Sequence, residues 1–299
     1  MKFDVLCHIN ATGCTPSSLY TAVANQMLFS KPSKALIRCD ISLDAPYIMV
    51  EIEELAQLDR QTKCLLLLSQ LLENIDITTL RKTSRISQIV FVLPQDELNN
   101  PVISDDTLSE LLAEVISQQV PDFEQTTTLD LKSIAPDTLI IALDSCVSYQ
   151  YVSHQAKNNV VQVLNGPPGI INGEGGCVLL THLQGTLSAH LYNGELNEQL
   201  NQAEACVNDT YLFAGKESLA WQKKWFANTQ ALYSPEDELI ELANLNNTIG
   251  HQGVANDPAG FVLANSYLNN PLNEGLQHVF LLFNSPNEQL IKISRSENS

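Results

Sequence analysis

Two side chains in this sequence could together perform nucleophilic catalysis: the thiol of Cys146 and the imidazole of His251. Cys146 follows the apolar segment 139–143, which predicts a strand, with Asp144 and Ser145 in between. A thiol between a strand and a helix start can be activated as a thiolate, and a nearby imidazole can act as a base or hydrogen-bond donor. The alternative is a small structural thiol at the end of a core strand.

A first glycine-rich stretch, residues 168–180, surrounds one carboxylate with glycines. Gly173, Glu174 and Gly175 are followed at once by the apolar run 177–180, which predicts a strand buried on both faces. Glycine allows positive φ angles and a close approach of another backbone. Taken alone, this stretch predicts a tight turn that leads into a central strand.

A second glycine-rich stretch, residues 246–260, contains His251 between Gly250 and Gly253. Asp257 and Pro258 follow it and predict the start of a helix, because aspartate caps helices and proline is favoured in their first turn. This loop could therefore hold a histidine next to the beginning of a buried helix.

Charge and composition restrict the class of protein. The formal net charge is −18, from 34 acidic against 16 basic residues, which argues against nucleic acid or an anionic membrane as a partner and favours a basic protein. No apolar run reaches the roughly 18 residues that span a bilayer. The seven cysteines are scattered without a Cys-x-x-Cys pair, which indicates reduced thiols and a soluble cytoplasmic protein. No spacing indicates a metal site, and we expect no cofactor.

Strands and helices alternate along the rest of the chain, which predicts an α/β fold. We expect a helix capped by Thr15 before Pro16, and a helix from Asp59 through Glu73 that is apolar nearly all round and therefore buried. A helix capped by Ser104 is also expected. The predicted strands cover residues 3–6, 89–93, 139–143, 177–180, 278–283 and 290–293.

Trp221 and Trp225 are separated by one helical turn, so both side chains lie on the same helix face. Such a pair can face the core, or it can be an exposed anchor for a protein partner.

The two glycine stretches, in this order, resemble the C-terminal half of β-ketoacyl synthases of the thiolase-like superfamily. In that family a Gly-Glu-Gly turn enters a core strand, and a later Gly-His loop brings a histidine to the active site. The resemblance implies a thiolase-like α/β fold with two related βαβ-type halves whose mixed central sheets pack in layers with helices. We place the halves at residues 1–145 and 146–299 of one compact unit.

The resemblance allows two placements of Cys146. In one, residues 143–148 are the nucleophile motif of the family. In the other, which we favour, Asp144 and Ser145 follow a core strand beyond the nucleophile, because Gly173 then lies at the family's usual distance from Asp144. The second placement requires an upstream nucleophile. No cysteine occurs between Cys64 and Cys146, so the nucleophile would be missing.

Other catalytic residues of the family are also absent or doubtful. His251 matches the second of two catalytic histidines, but the His-Gly-Thr loop that carries the first does not occur, and we expect His182 and His190 on strands. Asn246 stands where the family has a lysine, five residues before the second histidine. The chain therefore resembles a shortened, degenerate β-ketoacyl synthase that keeps the scaffold glycines.

We expect a non-catalytic thiolase-fold binding or scaffold protein, a pseudoenzyme. It resembles accessory, co-chaperone-like proteins encoded beside bacterial type VI secretion effectors, which assist a loading chaperone. The resemblance also implies a homodimer or pairing with another thiolase-like subunit. The alternative is a β-ketoacyl synthase-like condensing enzyme that transfers acyl groups through Cys146 with His251.

Overall fold

The computed structural model describes residues 1–39, 44–75, 86–115, 122–156, 160–166, 168–215, 218–232, 240, 242–284 and 288–296. The strands are β1 Lys2–Asn10, β2 Lys31–Cys39, β3 Asp44–Met49, β4 Gln88–Val92, β5 Phe123–Thr126, β6 Thr138–Ser145, β7 Glu174–Thr181, β8 Leu187–Leu191, β9 Tyr211–Phe213, β10 Leu242–Asn244, β11 His278–Phe283 and β12 Gln289–Arg295. The helices are α1 Pro16–Ala24, α2 Arg60–Asn74, α3 Asp105–Val115, α4 Tyr149–Ala156, α5 Leu196–Gln202, α6 Leu219–Thr229, α7 Leu245–Ile249 and α8 Asn256–Leu268.

Ten of the described strands form one mixed sheet in the order β10-β9-β11-β12-β8-β1-β7-β6-β4-β5. Its centre is antiparallel, with β7 between β1 and β6, whereas β6, β4 and β5 run parallel to one another. Strands from residues 1–145 and from residues 146–299 therefore join in one sheet. β2 and β3 form a separate two-stranded sheet. The mixed α/β architecture is as predicted, and the division of the chain at residues 145 and 146 stays a prediction.

Helices cover both faces of the large sheet. On one face α8 packs against β1, β7, β9, β11 and β12, and α1 packs against α8. On the other face α2 covers the central strands, while α5 and α6 cover the strands from the end of the chain. Trp221 and Trp225 of α6 are 5% and 2% exposed, so this pair faces the core and is not an exposed anchor.

Several local predictions are confirmed. The side chain of Thr15 accepts a hydrogen bond from the Ser18 N–H, and that of Asp59 accepts one from the Thr62 N–H, so both residues cap the expected helices. β11 and β12 form the predicted antiparallel pair. The prediction that α2 is buried nearly all round is wrong for its outer face, where Leu66 is 40% exposed because no described element covers it.

The predicted turn at Gly173–Gly175 is also different in the structure. β7 begins at Glu174, so Gly175 and Gly176 lie within the strand and not in a turn. Gly175 pairs with Asn10 of β1 on one side and with Asp144 of β6 on the other. Two flanking strands thus hold these glycines extended.

A buried ion pair connects α2 to the start of β7. The Nζ atom of Lys63 lies 2.9 Å from Oε2 of Glu174, with both side chains at most 3% exposed. Lys63 also donates to the Val147 carbonyl at 2.7 Å. The carboxylate further accepts hydrogen bonds from the Ser145 hydroxyl at 2.7 Å and the Ile52 N–H at 2.8 Å. These contacts compensate the desolvation of both charges and fix β6, β7 and α2 relative to one another.

Lys63→Met should therefore destabilise the protein by about 3–5 kcal/mol, because it leaves the Glu174 carboxylate buried without its cation. The double variant Lys63→Met, Glu174→Gln should lose less than the sum of the two single variants. Urea denaturation measures both. The matched control is Lys31→Met, which breaks the exposed Lys31–Glu53 pair and should change the free energy of unfolding by less than about 1 kcal/mol. Equal losses for Lys63→Met and Lys31→Met would contradict this account.

His8 of β1 should make stability depend on pH. Its side chain is buried, its Nε2 atom has no hydrogen-bond partner among the described residues, and burial lowers its pKa to about 4. In the unfolded chain the imidazole of His8 binds a proton below pH 6.5, whereas in the folded chain it does so only near pH 4. The contribution of His8 to the free energy of unfolding is therefore complete above pH 6.5 and decreases as the pH falls from 6.5 to 4. The loss is at most about 3 kcal/mol.

His8→Leu should therefore flatten the fall in the free energy of unfolding between pH 6.5 and pH 4.5, measured by urea denaturation at several pH values. His190→Leu replaces an exposed histidine of β8 and should leave the slope unchanged. The same slope in His8→Leu and the parent protein would show that His8 does not cause it.

Candidate functional site

The two glycine stretches, far apart in sequence, lie against each other in the structure. The Gly173 N–H donates to the His251 carbonyl at 3.0 Å, and the His251 N–H donates to the Ile171 carbonyl at 2.8 Å. A Cβ atom at Gly173 would collide with the Ile249 carbonyl, so this approach requires glycine. The glycines that suggested two separate motifs thus build one backbone junction.

This junction orients His251. α7 ends before Gly250, whose φ of +71° turns the chain into the histidine. The Nδ1 atom of His251 accepts a hydrogen bond of 2.9 Å from the Gly253 N–H. A neutral His251 therefore carries its proton on Nε2.

The His251 loop also touches the segment that contains Cys146. Gly253 has a φ of +53°, and a Cβ atom there would collide with the Asp144 carboxylate and lie 2.8 Å from the Cys146 Sγ atom. The fold thus brings the two sequence-predicted catalytic residues into one region. Their predicted roles, like those of the other motif residues, stay predictions.

The Cys146 thiol is enclosed by protein. Cys146 is 0% exposed, its N–H donates to the Gly173 carbonyl at 3.1 Å, and Tyr151 is among the groups that act on its thiol. Burial, and then the negative charge of Asp144, raises the pKa of the thiol well above its usual value. Cys146 is therefore a neutral thiol at physiological pH, whereas a nucleophile needs the thiolate.

An ion pair between α2 and β6 lies beside this thiol. Arg60 Nη2 lies 2.7 Å from Asp144 Oδ1, and Arg60 Nε donates to the Ser145 carbonyl at 3.1 Å. The Val254 N–H donates to the other carboxylate oxygen at 3.1 Å. The guanidinium lies 4.6 Å from the centre of the Tyr151 ring. The sequence indicated Arg60 through its helix, but it did not reveal that Asp144 is its partner.

A polar pocket of about 350 Å³ opens at this place. It is lined by Arg60, Pro94, Gln95, Thr127, Thr128, Leu129, Asp144, Tyr151, Ala214, Gly215, His251, Gly253, Val254, Asn256 and Asp257. These lining residues include a histidine, an arginine and two aspartates, but no cysteine. The loop after β5 supplies Thr127 and Thr128 to this lining.

Asp257 was predicted only as part of a helix start, and the structure places it in the lining of the pocket. Burial raises the pKa of its carboxyl to about 7. Burial also raises the pKa of the Tyr151 hydroxyl, and the neighbouring Cys146 thiol and Asp144 carboxyl raise it further. The helix-start pattern of Asp257 and Pro258 does not by itself indicate burial.

The other motif residues have structural contacts. Asn246 donates from Nδ2 to the Gly215 carbonyl at 2.6 Å, and Glu174 accepts the Lys63 ion pair. His182, just beyond β7, contacts Asp4 at 2.5 Å, and His190 lies exposed on β8. Neither of these two histidines lines the pocket.

The described residues contain no group of three or more His, Cys, Asp or Glu residues able to hold a metal ion. Within the same part of the chain, no helix combines the length and apolarity required to cross a membrane.

Comparisons with known proteins identify the fold. No known protein family's sequence profile matches the chain, and no curated protein matches it. Among solved structures it is similar to the ishigamide ketosynthase/chain length factor, with a TM-score of 0.58 at 12% identity over 99% of both chains. A type II PKS acyl-carrier protein in complex with its ketosynthase bound to the hexaketide gives a TM-score of 0.58 at 7% identity, also over 99% of both chains.

A β-ketoacyl synthase from Burkholderia phymatum STM815 gives a TM-score of 0.55 at 10% identity, over 99% of this chain and 100% of that one. At these identities the likeness shows the fold alone. The predicted fold class is confirmed: the chain has a thiolase-like, ketosynthase-like α/β fold.

Proposed function

We propose that this protein is a non-catalytic thiolase-fold protein that acts by binding a partner. The observation that carries the proposal is the mismatch between His251 and a nucleophile. His251 lines the pocket, but no cysteine does, and the thiol of Cys146 is buried with a raised pKa. Without a thiolate beside the histidine, thioester exchange has no starting point.

The threonines in the pocket do not replace the thiol. A hydroxyl becomes a nucleophile only with an adjacent base, and the unprotonated Nδ1 of His251 already accepts the Gly253 N–H. At the end of β5 the Thr126 hydroxyl donates a hydrogen bond to the Thr128 carbonyl at 2.9 Å and accepts one from the Thr128 N–H at 3.2 Å. These contacts support a structural role for the loop.

What the chain retains is suited to binding. The ion pair of Arg60 and Asp144 lies in the wall of the polar pocket, and a guanidinium does not release its proton for acid–base chemistry. The net charge of −18 favours a basic protein partner. A structural neighbour is a ketosynthase in complex with an acyl-carrier protein, which supports a protein partner on this type of scaffold.

More specifically, the proposed function is that of an accessory protein that assists a chaperone in loading bacterial type VI secretion effectors. This placement is supported by the resemblance of the degenerate motifs and by the net charge of −18, which favours a basic partner. Self-association, or pairing with a thiolase-like subunit, belongs to the same proposal.

The second candidate is a β-ketoacyl synthase-like condensing enzyme that uses Cys146 and His251. Its support is the close approach of the Gly253 backbone to the Cys146 sulfur. Catalysis would require the thiol to leave its buried position.

Intact-mass analysis distinguishes the two candidates. The Cys14→Ser, Cys206→Ser background removes two exposed thiols that would react non-specifically. In it, incubation with acyl thioesters or a ketosynthase-directed epoxide should give no adduct at Cys146. Stoichiometric labelling of Cys146 that His251→Ala abolishes would reject the binding proposal and establish the enzyme.

Sedimentation tests the predicted assembly. β5 and β10 are the edges of the described ten-stranded sheet, and a free edge is a natural pairing surface. The pure chain at micromolar concentration should sediment as a dimer. A monomer that also captures no thiolase-like protein in a pull-down would count against both forms of pairing.

A further inference from the structure

The pocket beside His251 contains a carboxyl group that has no partner among the described residues. Asp257 lies in the first turn of α8 and lines the pocket. None of the described residues forms a hydrogen bond or ion pair with its side chain, and desolvation is the only influence on its titration. A partly buried carboxylate that has no counter-ion among the described residues is destabilised, so a ligand that supplies positive charge would be stabilised there.

The other charges of the pocket are already compensated. The Arg60 guanidinium donates to Asp144 Oδ1 at 2.7 Å, to the Ser145 carbonyl at 3.1 Å and to the Gln95 carbonyl at 3.2 Å. The second oxygen of Asp144 accepts the Val254 N–H. This pair is therefore neutral as a unit, and among the described lining residues ionised Asp257 gives the pocket a net negative charge.

We propose that the pocket binds a cationic group rich in hydrogen-bond donors, a guanidinium or an ammonium, with Asp257 as its counter-ion. This inference rests on the proposed binding function and names the ligand chemistry of the same site. An anion would face the carboxylates of Asp257 and Asp144, and an apolar group would desolvate Asp257 without pairing it. The volume of about 350 Å³ admits one side chain or a small organic cation.

Two sources could supply this group: an arginine or lysine side chain of a basic partner protein, or a free small cation. The net charge of −18 attracts either one. A side chain brings further contacts from the partner's surface, so a peptide should bind more tightly than the free cation. A free ligand gains nothing from such contacts.

Binding should depend on pH because Asp257 exchanges a proton for the cation. Burial raises its pKa to about 7, and the other titratable groups that line the pocket are Arg60, Asp144, Tyr151 and His251. The ionised fraction of Asp257, and with it the affinity, should increase about tenfold from pH 6 to pH 8.

Isothermal titration of the full chain with methylguanidinium, methylammonium and a short arginine-containing peptide tests the proposal. We expect saturable binding that Asp257→Asn weakens at least tenfold at pH 8, whereas Glu110→Gln, an equal charge change on the exposed face of α3, leaves it unchanged. Tighter binding of the peptide than of methylguanidinium would identify a partner's side chain as the ligand. Equal affinities for the two would identify a free cation as the ligand.

Three results would overturn the inference: no binding of any cation, binding that Asp257→Asn leaves intact, or tighter binding of sulfate. A folding control accompanies them. Folding raises the pKa of the Asp257 carboxyl from 3.8 to about 7. The ionised carboxylate therefore destabilises the folded state increasingly as the pH rises through this window. At pH 8, Asp257→Asn should unfold at a higher urea concentration than the parent protein. If no cation binds and acyl thioesters do not label Cys146, this inference fails but the proposed binding function is retained. If acyl thioesters label Cys146, the proposed function itself is rejected.

Discussion

The buried ion pair between Lys63 and Glu174 is the contact on which the rest of the structure depends. A carboxylate with no solvent exposure persists only when its charge and lone pairs are matched, and here Lys63, Ser145 and the Ile52 N–H match them. These partners belong to three separate parts of the chain. Their convergence fixes the end of β6 and the start of β7, and thereby the positions of Asp144, Cys146 and Gly173.

The site is built chiefly by backbone contacts. Gly173 and Gly253 leave room for the chain to pass between Ile249, Asp144 and Cys146, where any side chain would collide. Such contacts maintain the shape of a ketosynthase-like fold without requiring a reactive thiol. The contacts of these glycines therefore do not depend on a reactive thiol, and this chain has them while the thiol of Cys146 is buried.

Local features were predictable from the sequence and tertiary ones were not. The caps at Thr15 and Asp59 and the β11–β12 pair depend on neighbouring residues, so their patterns sufficed. The partner of Lys63 and the burial of Asp257 depend on segments far away in sequence. The turn predicted at Glu174 became a strand because β1 and β6 pair with it from both sides, which no local pattern reveals. The glycine order gave the fold class, but the roles of the site residues stay predictions.

The reactivity of the Cys146 thiol tests the central claim, that the fold is retained and the chemistry lost. The measurement is the rate of alkylation by iodoacetamide at pH 8, followed residue by residue by mass spectrometry in native protein and in urea. Exposed Cys14 should react in the native state, whereas Cys146 should react only as the protein unfolds, because its thiol is buried and its pKa is raised. Alkylation of Cys146 in the native state as fast as or faster than Cys14 would contradict this account.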